Sequence, residues 1–320
     1  MTSSAPVRSP DGSVVSMRIA SLIPSGTDLV AALGLADCLV GVSHECDHPD
    51  AVDLPVLTSS VIPPPTCDGP SLSAGEIDRI VSSSVQAGDS LYITDRALLK
   101  QLAPNVIVSQ DVCDVCAVNA EAARDVMCHL PDNAQLVMLT AVSTDGMCAD
   151  LLLLGSALGV LDRAEAVVSS VREQLDKRRA MPKSLVSMLT LEWSDPPFLG
   201  GHWVPELVDI AGADHVISGS GEPSRRTTWE EIAAADPDVI VFCPCGYNLH
   251  QSSIEAAALL QQPKVARLRA VQNGRFFAVD ANRLFSRCTT NLVDAVDLLR
   301  SLSELGSDEQ VPSGATRVGR

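Results

Sequence analysis

Three clusters hold most of the residues in this sequence that are able to do chemistry. The first is His44-Glu45-Cys46-Asp47-His48. Two histidines four apart, with a glutamate after the first, is the spacing of a helical zinc protease site. There both imidazoles hold the metal and the carboxylate acts as the base. The context opposes that chemistry. Gly41-Val42 comes from a predicted strand and Pro49 follows at once, so no helix sets both rings on one face. Two readings remain: a ligand-facing loop carrying His44, Glu45 and Cys46, or a solvated turn.

The second cluster is made of cysteines. Cys113-Asp-Val-Cys116 is a C-x-x-C pair, which serves either as a redox couple or as half of a zinc site. The other half would come from Cys243 and Cys245, with Cys46 or His44 added. C-x-C is a poor bidentate spacing unless the backbone kinks, and Pro244 supplies a kink. A soft-metal site using Cys46, Cys113, Cys116, Cys243 and Cys245 is therefore one reading. Thiols packed as small apolar groups are a second, and thiols touching an organic ligand a third.

The third cluster runs from Glu192 to Trp203 (EWSDPPFLGGHW). Pro-Pro and Gly-Gly shape an extended loop after a strand and before a helix. Trp193, Phe198, His202 and Trp203 crowd into it, in a chain with 3 Trp, 2 Tyr and 5 Phe in all. A wide flat ligand needs apolar faces and a few polar edges, and this loop offers both. The alternative is a satellite core beneath a long loop. Other signatures are missing. No G-x-G-x-x-G follows the first strand, and there is no Walker A sequence, so no nucleotide cofactor is expected. There is no G-x-S-x-G elbow and no acid/base pair, so the chain is not read as an enzyme.

The composition narrows the partners. The 320 residues carry 23 Lys and Arg against 40 Asp and Glu, a net charge of −17. Such a chain repels polyphosphate and anionic lipid, so neither nucleic acid nor a membrane surface is expected as a partner. The longest apolar run, 151–161, is too short to span a bilayer. Residues 1–16 are polar and lack the apolar core of a secretory leader. They are read as a disordered leader, and the location as cytoplasmic, with organelle targeting as the alternative.

These clusters need elements to position them. Residues 19–23 form a buried strand, Ser25 caps a helix over 25–33, and 39–42 is the next strand. Strand, helix, strand predicts a parallel sheet. Residues 53–75 are a Pro/Ser-rich loop. A strand at 90–94, a helix at 97–102, a strand at 105–109, a helix at 121–130 and a strand at 135–139 complete a first lobe, 17–143. Residues 144–181 are helical, with a break near Gly159. A second α/β lobe occupies 182–303, with strands at 184–191, 239–242 and 275–279 and helices at 203–211, 228–235, 254–260 and 292–302. Residues 304–320 are a disordered tail. One internal match supports like halves: Leu102-Ala-Pro-Asn-Val-Ile-Val-Ser-Gln (102–110) against Ala235-Asp-Pro-Asp-Val-Ile-Val-Phe-Cys (235–243). Each run leads into a cysteine-bearing loop at a strand's carboxyl end, the edge where open α/β sheets bind ligands.

Long dispersed segments carry a resemblance: RIASLIPSGTDLVAALGLADCLVGVSHECDHP, NVIVSQDVCDVCAV, LEWSDPPFLGGHWVPELVDIAGA and DPDVIVFCPCGYN. Over residues 17–302 the chain resembles the cobalamin-type (Fe/B12) periplasmic-binding-protein family, the helical-backbone substrate-binding proteins of ABC importers. The resemblance implies an α/β fold of two Rossmann-like lobes with parallel sheets, joined by one long connecting helix. It also implies a non-enzymatic protein that holds a corrinoid such as cobalamin, or a related iron chelate or haem, in the cleft between the lobes. Pro24, Ser25, Gly26, Thr27, His44, Glu45, Cys46, Gln110, Asp111, Cys113, Glu192, Trp193, Phe198, His202, Trp203, Cys243, Cys245, Tyr247 and Arg287 are its expected ligand contacts. The family's Arg-Pro-(small)-Pro-Arg segment corresponds to 285–291, where Arg287 remains and Asn291 replaces the second arginine. An ABC permease partner is left open, because no export signal is visible.

Overall fold

The computed structural model describes residues 6–8, 14–63, 72–112, 127, 130, 134–306 and 309–319. The chain divides into two compact units. One comprises residues 1–141 and 145–170, and the other residues 142–144 and 171–320.

In the first unit four strands form a parallel sheet in the order Leu39–Gly41, Ile19–Ser21, Val106–Gln110, Gln135–Leu139. Numbered along the chain this is 2-1-3-4. Ile107 and Val108 are fully covered, as a parallel strand between two layers should be. Each such side chain contributes roughly 1.5–3 kcal/mol by leaving water. Ala20, Leu22, Leu57, Leu99 and Ile107 form a common core. The helix Pro24–Ala32 follows the first strand directly, and its N-cap is Ile23, with no side-chain cap. Ser25 lies inside the helix instead of capping it, because Pro24 fits the first helical turn and moves the start one residue earlier.

The second unit repeats the order. Asp214–His215, Ser187–Ser194, Val239–Phe242 and Phe276–Val279 are parallel neighbours, again 2-1-3-4. Three short strands are added. Pro197–Leu199 folds back on Ser187–Ser194, Arg225–Arg226 pairs beyond it, and Ala315–Arg317 runs antiparallel along Phe276–Val279. Leu189, Leu191, Ile240, Phe242, Phe276 and Ala278 belong to its core.

The internal match in the sequence corresponds to one local structure built twice. The helices Arg96–Leu102 and Trp229–Ala235 end in left-handed non-glycine residues, Ala103 (φ 44, ψ 57) and Asp236 (φ 45, ψ 57). A proline follows each and forbids another helical turn. The next side chain then accepts from a backbone N–H at the edge of the neighbouring strand. Asn105 Oδ1 takes Arg18 N at 2.9 Å, and Asp238 Oδ2 takes Ser187 N at 2.9 Å.

Residues 144–181 are two helices, Thr144–Ala157 and Leu161–Arg179. The break falls at Gly159, whose φ of +67 only glycine adopts cheaply. Gly155 lets the pair approach, since a Cβ there would lie 2.4 Å from Ala164 Cβ. Residues 145–170 of this stretch belong to the first unit and 171–179 to the second.

Several expectations are corrected. Within the reputed leader, Pro6–Arg8 pairs antiparallel with Val14–Ser16. Within the reputed tail, Ala315–Arg317 joins the sheet and Val318 is buried. The loop at 53–75 contains a strand, Thr58–Ser60, paired with Tyr92–Thr94. A helix absent from the sequence reading, Ala74–Ala87, starts at a Ser73/Glu76 capping box. The helix expected at 121–130 lies outside the described residues except at Met127 and Leu130, as do Cys113 and Cys116.

Candidate functional site

In a 2-1-3-4 sheet the order reverses between the first and third strands, and ligands bind outside the carboxyl ends there. Each unit has such an edge.

In the first unit the edge is made by residues 22–27, 43–46 and 110–111. Pro24 and Ser25 are half-buried, whereas Gly26 and Thr27 are buried. A Cβ on Gly26 would lie 2.7 Å from Ser21 Oγ and 2.8 Å from Val108 Cγ1, so this glycine seats the helix on the sheet. His44 is fixed by Thr58: its backbone N donates to Thr58 Oγ1 at 3.1 Å, and its Nδ1 lies 2.7 Å from the same hydroxyl. The Tyr92 ring stands 5.7 Å away. Burial holds the His44 pKa below the ordinary value, so the ring is neutral near pH 7. Glu45 lies 4.0 Å from His44 Nε2 and is exposed. Cys46 and Gln110 are half-buried and Asp111 is exposed.

The second unit's edge is richer. The EWSDPPF stretch is a tight hairpin and not the extended loop that its prolines predict. Ser194 pairs with Pro197 and Trp193 with Phe198, around a cis Asp195–Pro196 bond. Cross-strand partners share a face, so Trp193 and Phe198 stand together. Trp193 also meets the Tyr247 ring edge-on, centroids 5.6 Å apart, and Arg226 lies over Phe198 at 5.5 Å. Tyr247 is anchored through its carbonyl, which accepts from Asn282 N at 2.8 Å. Burial, then the Glu255 carboxylate, pushes its hydroxyl to about 12, so it stays protonated.

The glycines of this edge permit close approach. A Cβ on Gly201 would lie 2.2 Å from Ser224 N. Gly201 N instead donates to Glu192 Oε1 at 3.2 Å, while Ser224 Oγ donates to Glu192 Oε2. His202 follows with φ 53. Its N donates to Glu222 O at 2.6 Å, and Gly221 N donates to its carbonyl at 2.8 Å. The His202 ring lies 5.9 Å from Trp203, and burial lowers its pKa. Trp203 Nε1 donates to Phe285 O at 3.1 Å.

Five of the chain's ten aromatics are buried (Trp229, Phe242, Phe276, Phe277, Phe285). Of the five left partly open, Trp193, Phe198, Trp203 and Tyr247 are all on this one edge. These rings form a cluster of partly exposed aromatic side chains on that edge.

The cysteines behave differently from one another. Cys243 is buried at the end of the Val239–Phe242 strand, and Cys245 is exposed. Burial first, then Glu192 and Cys245, pushes the Cys243 thiol well up, so it is protonated and a weak nucleophile or ligand. Among the described residues no group of three or more His, Cys, Asp or Glu side chains is placed to hold a metal ion. Arg287 is buried, and its Nη2 donates to Asn282 Oδ1 at 3.2 Å. Sequence reasoning missed Thr58, Ser224, Asn282 and His215. All act through hydrogen bonds to residues distant in sequence, which no local motif announces.

A family model described as "Periplasmic binding protein" matches residues 102–282. No curated protein sequence matches. Among solved structures, a periplasmic heme binding protein from Pseudomonas aeruginosa is similar at TM-score 0.67 and 19% identity, covering 95% of this chain and 98% of its own. The periplasmic heme binding protein HutB of Vibrio cholerae gives 0.67 and 17%, covering 90% and 99%. The periplasmic vitamin B12 binding protein BtuF of Vibrio cholerae gives 0.60 and 20%, covering 92% and 98%. At these identities the likeness shows the fold.

The family match overturns the cytoplasmic location expected from residues 1–16. A secretory leader is an address removed after export, so its absence from a sequence does not fix the compartment of the folded protein. A match over more than half of the 320 residues, on a fold of two parallel-sheet units, leads to one conclusion: this chain belongs to the periplasmic binding protein family, whose members are binding proteins.

Proposed function

We propose that the protein binds a tetrapyrrole-type metal chelate, and among these a corrinoid such as cobalamin, with an ABC permease as its partner. The observation that carries this reading is the set of four partly open aromatic rings on the second unit's strand edge. A macrocycle presents a broad apolar face, and stacked or edge-on aromatics are the side chains that cover it most economically. The polar groups among the rings favour the corrinoid over haem. Glu192 and Glu255 carry acidic side chains on that edge. Carboxylates accept from the carboxamides that rim a corrinoid and repel the propionates that rim haem. The first unit reinforces the sign, with 7 Lys and Arg against 21 Asp and Glu, a net −14. Pro24, Ser25, His44, Gln110 and Asp111 are that unit's candidate contacts.

The test is a pair of titrations followed by visible absorption and calorimetry, one with aquocobalamin and one with haemin. The expected result is micromolar or tighter aquocobalamin binding, weakened at least tenfold by Trp193→Ala. Haemin bound more tightly than aquocobalamin removes the corrinoid assignment. Neither bound below millimolar concentration removes the tetrapyrrole reading altogether.

A further inference from the structure

His215 belongs to no motif, yet it lies at the centre of the hydrogen bonds that shape the 200–203 loop. Its Nδ1 is 3.1 Å from Ser218 O and its Nε2 is 3.0 Å from Thr190 Oγ1. A carbonyl only accepts, so Nδ1 carries the proton. Nε2 then offers a lone pair, and the Thr190 hydroxyl donates to it. Both partners of the imidazole touch the loop. Ser218 Oγ donates to Gly200 O at 2.9 Å. Gly200 N donates to Thr190 O at 3.0 Å, and a Cβ on Gly200 would lie 2.2 Å from Thr190 Oγ1.

The chain of bonds continues outward. Gly201 is pinned by Glu192 and the Ser224 backbone, and His202 is bonded in both directions to residues 221 and 222. Gly200 therefore sits between a fixed strand on one side and the Ser218 hydroxyl on the other. The residue that fixes both Thr190 and Ser218 is His215.

We propose that His215 is a positioning residue for the ligand loop, holding Gly200 so that His202 and Trp203 are presented in one preorganised geometry. This deepens the proposed function and rests on it for the ligand, but not for the loop. A preorganised loop avoids the ordering cost that a mobile one meets on binding. His202 needs such support, because a left-handed non-glycine residue persists only where its surroundings hold it.

The test uses His215→Asn, whose amide N–H overlies Nδ1 and keeps the bond to Ser218 O, and His215→Leu, which keeps neither bond. The Trp203 indole N–H, bonded to Phe285 O, is a reporter in ligand-free protein, assigned in the proton NMR spectrum by Trp203→Phe. In His215→Leu the resonance is expected to shift and broaden, and aquocobalamin affinity to fall at least tenfold. In His215→Asn the resonance stays sharp and affinity falls less than threefold. If His215→Leu does not fold, Ser218→Ala, which removes the hydroxyl that holds Gly200 O and lies 3.3 Å from His215 Nδ1, must show the same broadening. A sharp, unshifted Trp203 signal in folded His215→Leu or in Ser218→Ala overturns the proposal. If wild-type protein binds no tetrapyrrole while the Trp203 signal responds as expected, the ligand assignment fails and the positioning role stands.

Discussion

The two units share a sheet order, a helix-ending device and a strand-bridging side chain, yet they differ where ligand chemistry would act. After its first strand the N-terminal unit enters a helix at once, at Pro24. The C-terminal unit inserts a hairpin and a glycine loop between Ser187–Ser194 and Val204–Ile210. That insertion carries Phe198, His202 and Trp203, and Trp193 stands at the end of the strand that leads into it. The units also differ in charge, −14 against −3, the second having 16 Lys and Arg to 19 Asp and Glu. The scaffold was built twice and the aromatic edge once. A common parallel sheet sets the place where a ligand can bind, and the connection after its first strand sets what that place offers.

The largest expected effects separate the glycines of the two edges. Gly201→Ala drives a Cβ into the Ser224 backbone, which has no side chain to swing aside. Stability should fall by more than about 3 kcal/mol in urea unfolding, beyond the usual range for overpacking. Gly26→Ala meets Ser21 Oγ and Val108 Cγ1, which can shift, so about 2 kcal/mol is expected. Equal losses at the two sites would remove the claim that the inserted loop is the more tightly constrained.

A pH effect should belong to the C-terminal unit as well. Burial pulls His215 from its ordinary value to about 4, opposed by the Ser218 carbonyl. Between pH 6.5 and 4 the unfolded chain takes up a proton that the folded chain refuses, so stability rises with pH across that window. The contribution is complete above pH 6.5 and is lost as pH falls toward 4, about 3 kcal/mol in all. Unfolding midpoints measured from pH 7 to 4 should show this slope flattened in His215→Asn. An unchanged slope would assign the acid sensitivity to His44 and His202, which burial also lowers.

The bridging side chains test whether the shared device matters equally. Asp238 binds Ser187 N and Ser187 Oγ, each at 2.9 Å, and also the Arg269 guanidinium. Asn105 binds Arg18 N through Oδ1 at 2.9 Å. Asp238→Ala should cost about 2 kcal/mol and Asn105→Ala about 1 kcal/mol, the difference following the charge of the bonds that Asp238 makes. Thermal unfolding of the two variants reads it, and a reversed order would show that the N-terminal unit depends on its bridge more heavily.

What the sequence revealed, and what it hid, follows the same division. Val-Ile-Val, its preceding proline and its following loop were legible twice over, because a buried parallel strand needs a continuous apolar run and a proline stops the helix before it. The parallel pairing follows from strands alternating with helices. The hairpin at 194–199 was not legible, since Pro196 and Pro197 argue for a loop and only an edge position tolerates them in a sheet. Glu192, Trp193, Phe198, His202 and Trp203 were conspicuous as a cluster of rare residue types. Thr58, Ser224 and His215 were not, because a hydrogen bond to a partner 14 to 32 positions away leaves no local pattern. The helix Ala74–Ala87 was hidden by its proline-rich approach, although Ser73 and Glu76 stood three apart in plain view.

The smallest effects concern the two matched helices. Asp95 caps Arg96–Leu102 by accepting from Leu98 N, and Thr228 caps Trp229–Ala235 by accepting from Glu231 N. Asp95→Ala and Thr228→Ala should each cost about 1 kcal/mol, because each leaves one first-turn N–H without its side-chain acceptor. The far ends should differ. Ala103 holds a left-handed conformation with an alanine side chain, so Ala103→Gly relieves a strain of about 1–2 kcal/mol and returns part of it as lost chain entropy. A net gain of about 0.5 kcal/mol is expected. Asp236 has the same dihedral angles, but its carboxylate binds Arg269 Nε at 2.8 Å and 2.9 Å. Asp236→Gly gives up that pair and should be neutral or destabilising. A stabilising Asp236→Gly would show that the Arg269 pair contributes nothing on that exposed surface, leaving backbone strain as the sole term that distinguishes the two helix ends.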